Sequence, residues 1–276
     1  FGLAGETDVK GLEFVNSRYY KHFSEPGWHV LKSFIRRHGV DFRNEFAETP
    51  LMVAAREGNI GLIRLLLASG ADVLQRDMFG LLPVQLLMME QFAGRRFDET
   101  TFCEVFNLLA PDSVTFRAGN RLLKLDRRLI EYLLLLTAAP FIAIKSQKSL
   151  HLLPACYTTG SILDMLSCLP EAIFPEKRRK KTYISAALSR NERQRVGPYN
   201  REIFFRIKTG YYILSPWIAW PKDDAWEDFY SSLSMNNLKK LAPKSFGESF
   251  DYVMKQIQED FIAVEDREEP SSQLSP

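Results

Sequence analysis

From Leu62 to Val73 the chain reads LIRLLLASGADV, and from Val30 to Phe42 it reads VLKSFIRRHGVDF. In both, apolar residues return three and four positions apart, which predicts helices with one buried face. Gly39 and Gly70 lie 31 residues apart, and Gly70 is placed to end its helix in the left-handed conformation that glycine adopts most readily. TPLMVAAREGN (Thr49 to Asn59) predicts a shorter helix, with the Thr49 hydroxyl as cap, Pro50 in the first turn and Gly58 at its end. Ala54 and Ala55 allow a neighbouring helix to approach closely. Pro83, in FGLLPVQLL, lies 33 residues after Pro50, so the pattern recurs.

Beyond residue 112 the pattern changes. SVTFRAGNRLLKLD (Ser113 to Asp126) alternates weakly and breaks at Gly119-Asn120, a hairpin signal. LIEYLLLLTAAPFIAI (Leu129 to Ile144) is apolar almost throughout, with Leu129, Tyr132, Leu133 and Leu136 on one face. It is too short for a membrane span and is interrupted by Glu131 and Pro140, so it predicts a buried helix. TTGSILDMLSCLP (Thr158 to Pro170) predicts a threonine-capped helix with Ile162, Leu163 and Leu166 inward. A third helix follows PEKRRKKTYISAALSRNE, with Ile184, Ala187 and Leu188 as its buried stripe. REIFFRIKTGYYILSP (Arg201 to Pro216) then predicts two strands joined at Lys208-Thr209-Gly210. SFDYVMKQIQEDFIAV (Ser249 to Val264) is amphipathic and leaves two uses open: packing on the body, or a homodimer contact.

Composition changes this picture mainly through charge. The 276 residues are 46% hydrophobic and 25% charged, with a formal charge of only +2. Residues 171–212, however, carry eleven Lys/Arg against four Asp/Glu, a local +7. Residues 222–276 carry six against twelve, a local −6, ending in EDREEPSSQLSP, which predicts a disordered acidic end. Cys103, Cys156 and Cys168 form no CxxC pair, which fits a reducing cytoplasm rather than a disulfide framework or zinc site. Cys103 and Cys168 fall in apolar helical patterns and are expected in the core. No signal peptide is visible, and the opening at Phe1 without Met fits a fragment of a longer chain.

The spacing near 33, with Thr-Pro opening one helix and Gly-Ala-Asp closing the next, resembles ankyrin repeats. About three degenerate repeats are expected over 26–112, behind an N-terminal extension at 1–25. Met52 stands at the usual His of the motif, Leu82 replaces the capping Thr, and an insertion is expected around Phe92 to Glu99. The resemblance implies a protein-binding role and no chemistry.

Hairpin, three helices and closing hairpin, in that order, are the parts of a winged helix-turn-helix over 113–216. Leu125, Glu131, Leu133-Leu134, Ile184-Ser185, Arg206, Gly210 and Tyr212 resemble the OmpR/PhoB-type effector domains of bacterial response regulators. No receiver domain precedes the unit, so control by phosphorylation is not implied. The fold class expected is mainly α: a short ankyrin stack, a winged helix-turn-helix with small hairpins, a C-terminal helical segment at 217–264 and a tail at 265–276.

The expected partner is double-stranded DNA. Its contacts are assigned to Arg178, Arg179, Lys180 and Lys181, to Thr182, Ser185, Ser189 and Arg190 on the third helix, and to Lys208 and Thr209 at the wing tip. Short polar side chains let a helix approach base edges while cations meet phosphates. No nucleotide-loop, nucleophile-elbow or zincin motif occurs, and His22, His29, His38 and His151 lack ligand spacing. No enzyme activity, cofactor or metal is expected. Two rivals stay open: an adaptor whose winged fold docks protein, and a non-catalytic part of a larger enzyme or defence system.

Overall fold

A computed structural model describes residues 25–257, except 45, 95–96, 148–155, 196, 223, 237, 239–247, 249 and 256; no side chain is described before Lys32, nor those of Lys145 and Gln147. The expected extension before Glu25 and the acidic end at 265–276 lie outside the described residues. The described chain is mainly helical with two small antiparallel sheets.

Five helices come first: α1 (Glu25–His38), α2 (Pro50–Glu57), α3 (Ile60–Ala68), α4 (Pro83–Phe92) and α5 (Glu99–Leu109). Thr49 caps α2, its hydroxyl accepting from the Met52 amide at 3.4 Å, and Gly58 ends it at φ +66°. Two residues separate α2 from α3, whereas six separate α4 from α5, which is the expected insertion.

The loops before α2 and α4 are the same device used twice. Asn44 Oδ1 accepts from the Phe46 and Glu48 amides, and 33 residues later Asp77 Oδ1 accepts from those of Phe79 and Leu81. Ala47, at φ +56°, occupies the place of Gly80, at φ +81°. Burial holds the Asp77 carboxyl up at about 6; the two amides pull it down and the Glu48 carboxylate raises it further.

Leu82 supplies no side-chain cap to α4, and Gln85 makes only the reciprocal bond of that turn. Its Oε1 accepts from the Leu82 amide at 3.0 Å, and its Nε2 donates to the Leu136 carbonyl at 3.0 Å. That carbonyl belongs to α6 (Ile130–Gln147), where Pro140 has no N–H to offer the residue four positions back. One buried amide therefore satisfies an orphan at each of two helices. It also joins the repeat region to α6, whose residues 130–143 are all buried in a core continuous with that of α2 to α5.

Strands β1 (Ser113–Ala118) and β2 (Arg121–Asp126) form the expected hairpin around Gly119-Asn120, with Gly119 at φ +58°. After α6 come β3 (Tyr157–Thr158), α7 (Thr159–Leu166), α8 (Lys181–Arg190), β4 (Phe204–Lys208) and β5 (Tyr211–Leu214). β3, β5 and β4, in that order, make a three-stranded sheet.

The expected break at residue 216 is not a structural boundary. β6 (Ile218–Lys222) and β7 (Ala225–Asp228) form another hairpin, and β6 pairs with β1 to give a four-stranded sheet ordered β2-β1-β6-β7. Trp220 packs between Phe116 and Phe229 at 6.1 and 6.3 Å between ring centroids, closing the sheet onto the core. Asp228 caps α9 (Phe229–Ser232), and α9 reaches back to the repeat region. A Cβ on Gly80 would lie 1.8 Å from the Ser232 carbonyl oxygen.

Residues 250–255 are helical, and of the two uses left open for this segment the described residues show packing on the body. Val253 and Ile257 are buried against Cys156, Phe205 and Ile213 on the three-stranded sheet. Two expectations fail. Cys168 is exposed because the core takes Met165, Leu166 and Leu169 from that turn, and Cys103 is half-buried because α5 turns Phe102, Val105, Phe106 and Leu109 inward; Leu163 is likewise only half-buried. No helix among the described residues is long and apolar enough to cross a membrane.

Candidate nucleic-acid interface

α8 sorts its residues sharply. Ile184, Ala187 and Leu188 are 0%, 2% and 0% exposed, while Lys181, Thr182, Ser185 and Arg190 lie in solvent and Ser189 is half-buried. Three apolar side chains on one stripe fix the rotation of the helix, since turning it would expose Ile184 and Leu188 at about 1.5–3 kcal/mol each and Ala187 at less. The outward residues Lys181, Thr182, Ser185, Ala186 and Ser189 line an open groove that Thr159, at the start of α7, closes on its other side. α7 is itself capped by Thr158, whose hydroxyl accepts from the Ser161 amide at 3.0 Å.

The basic run is divided by function. It forms a 3-10 turn (Glu176–Arg178) ahead of α8 rather than the first turn of the helix. Lys177 and Lys180 are exposed, and with Lys181 they have no ion pair to another described residue. Arg178 is half-buried and donates to the Arg128 carbonyl at 3.3 Å. Arg179 does not stand with the free cations. Its guanidinium donates to the carbonyls of Phe174, Leu169 and Ser167 at 3.1, 3.0 and 3.4 Å, closing the chain that leaves α7. A planar fork of five donors suits that task, and it is spent there.

The other end of α8 is tethered. Glu131, in the first turn of α6, is almost fully buried and its Oε1 accepts from Arg190, Asn191 and Arg201 at 3.1, 3.1 and 3.2 Å. A buried carboxylate is tolerable only with such compensation. Arg190 thus has its guanidinium on Glu131 while half of its side chain faces solvent.

The wing is tied to α8 as well. The Phe204 amide donates to the Asn191 carbonyl, the Arg193 amide to the Phe204 carbonyl, and Gln194 exchanges two hydrogen bonds with the Arg206 backbone. Glu192, fully buried, lies 3.1 Å from Arg206 Nε and 3.7 Å from Arg195 Nε. At the tip Gly210 has φ +80°, and Lys208 and Thr209 are exposed, with Lys208 Nζ 4.4 Å from the Tyr211 ring centroid. Backbone and side-chain bonds therefore join the end of the helix to the hairpin.

The tryptophans serve the protein itself. Arg193 lies over Trp217 at 4.4 Å and Arg117 over Trp226 at 4.3 Å. The pattern in the sequence did not single out Glu192, Gln194 or the capping role of Arg179. The one available signal was Glu192 beside Asn191 at the end of an amphipathic helix, where a charge otherwise goes to solvent. No group of three or more His, Cys, Asp or Glu placed to hold a metal occurs among the described residues. His22, His29 and His151 have no described side chains, and His38 lies against Phe34, their ring centroids 4.4 Å apart.

The capped helix pair α2–α3, the glycine turns and the loop repeated every 33 residues define a repeat built to stack. In agreement, the ankyrin repeat family model matches residues 48–78, and the chain carries an ankyrin repeat there. No curated protein and no solved structure was found to match the chain.

Proposed function

We propose that the protein binds duplex DNA through α8 and the β4–β5 wing, and a protein partner through its ankyrin repeat, acting as a non-catalytic regulator or recruiter. The observation that carries the DNA reading is the orientation of α8, with its apolar stripe in the core and Lys181, Thr182, Ser185 and Arg190 outward. The order β3, α7, α8, β4, β5 and the sheet β3-β5-β4 support reading residues 113–216 as a winged helix-turn-helix. Hydroxyls flanked by cations suit major-groove edges and phosphates. The contacts we assign are Lys180, Lys181, Thr182, Ser185, Ser189, Lys208 and Thr209, with Arg178 and Arg190 available once they leave their present acceptors. The ankyrin repeat supports a protein partner.

Two substitutions test the reading. Ser185→Glu puts a carboxylate on the outward face without touching the core, so stability should move by no more than about 0.5 kcal/mol. Duplex affinity, measured across a salt series, should fall at least about tenfold. Ile184→Ala should instead cost about 2–4 kcal/mol of stability through a core cavity, and lose binding only as folding fails. Unchanged duplex binding by Ser185→Glu, or none by the native chain at low salt, rejects the DNA reading and leaves the adaptor role.

A further inference from the structure

Lys177, Lys180 and Lys181 form an exposed cationic strip without ion pairs to described residues, beside the half-buried Arg178. Residues 259–269, EDFIAVEDREE, hold six carboxylates against Arg267 alone, a net −5. We propose that this acidic segment docks on the lysine strip ahead of α8, and so competes with nucleic acid for it. The competition rests on the DNA reading; the docking itself does not.

Three observations select this occupant. The charges are opposite and confined to two short stretches of one chain. The helical residues 250–255 and Ile257 are anchored on the β3-β5-β4 sheet, through Val253 and Ile257 against Phe205 and Ile213. That sheet supplies β3, which leads directly into α7, and β4, which is bonded to the end of α8, so the acidic stretch departs from the unit that carries the strip. An extended chain spans about 3.3 Å per residue, so residue 269 can lie up to about 40 Å beyond Ile257.

Single exposed lysine–carboxylate pairs are weak and screened by salt. Tethering changes the balance, because a short linker holds the carboxylates near the strip at an effective concentration on the order of millimolar. A phosphate backbone approaching the strip must displace them, and fewer small counterions are then released on DNA binding. The segment should therefore lower both the affinity for duplex and its dependence on salt.

The test uses the full chain, native and with Glu259→Gln, Asp260→Asn, Glu265→Gln, Asp266→Asn, Glu268→Gln and Glu269→Gln together. A water-soluble carbodiimide joins contacting lysine and carboxylate groups as an amide, and peptide mass mapping locates the joints. At low salt the native chain should give joints within one chain between Lys177, Lys180 or Lys181 and residues 259–269, lost at high salt. The neutralised chain should bind a 20-base-pair duplex about tenfold more tightly at about 0.1 M salt, with a log–log salt slope steeper by about two. No such joints, joints only between chains, or equal affinity of the two chains for duplex overturns the proposal. Joints in the native chain with no duplex binding by either chain keep the docking and reject the DNA reading. Equal duplex binding without joints does the reverse.

Discussion

Asp77→Asn should make the protein more stable at neutral pH and remove part of its pH dependence. The Asp77 carboxyl is held up at about 6 by burial, against 3.8 unperturbed, so its ionised form is disfavoured in the fold. The sign follows directly. Between these values the unfolded chain has released the proton that the folded chain still holds, so stability falls as pH rises. Below about 3.8 the effect vanishes; above about 6 it is complete, on the order of 3 kcal/mol at 1.36 kcal/mol per pH unit. The preceding loop shows that an amide fits the role, because Asn44 accepts the equivalent two backbone N–H groups. Asp77→Asn should therefore keep the loop while losing both the desolvation penalty and the repulsion from Glu48. Urea denaturation of both chains at pH 4, 5, 6 and 7.5 measures the difference. It should be near zero at pH 4 and grow to about 1–3 kcal/mol in favour of the variant at pH 7.5. A difference that does not change with pH, or a variant less stable at pH 7.5, refutes the reasoning.

Three further substitutions probe the joints of the fold, each read by chemical or thermal denaturation. Gln85→Leu should cost about 2–4 kcal/mol, because it strands the Leu82 amide and the Leu136 carbonyl in the core; a loss under about 1 kcal/mol means other partners replace the amide. Ala47→Gly should stabilise by about 0.5–1 kcal/mol, since Ala47 sits at φ +56° where the equivalent residue is Gly80; destabilisation means the strain is not there. Gly80→Ala should cost more than about 3 kcal/mol, because its Cβ meets the Ser232 backbone, whereas Gly70→Ala meets open space and should cost about 1 kcal/mol; similar losses at both sites contradict the close approach.

Periodicity carried the sequence reading a long way where structure is local. Thr49-Pro50 and Gly58 mark α2, and Gly119-Asn120 and Thr209-Gly210 fall at the two hairpin turns. The stripe Ile184, Ala187, Leu188 is the buried face of α8. What it missed is made by distant partners. β6 contains Pro221 and β7 contains Glu227 and Asp228, weak strand signals, and β6 is held in place by β1 about a hundred residues earlier. Charge alone does not distinguish Arg179, which closes a turn, from Lys180, which faces water. The loop device of Asn44 and Asp77 was readable at its 33-residue spacing, yet Ala47 at the glycine place hid it.

The fit of Ser232 over Gly80 has a consequence for how this chain comes into being. The repeat region leaves the ribosome before the rest of the fold described here, but the surface around Gly80 is not completed until residue 232 has been made, some 150 residues later. At about 5–20 residues per second that interval is roughly eight to thirty seconds. During its first part, until residue 147 has been made, the α4 face that will receive α6 is also without its final cover. The early half of the protein is therefore a client of its own late half, and a ribosome stalled between residues 112 and 229 should display a nascent chain that protease cuts near residue 80 and the finished protein resists.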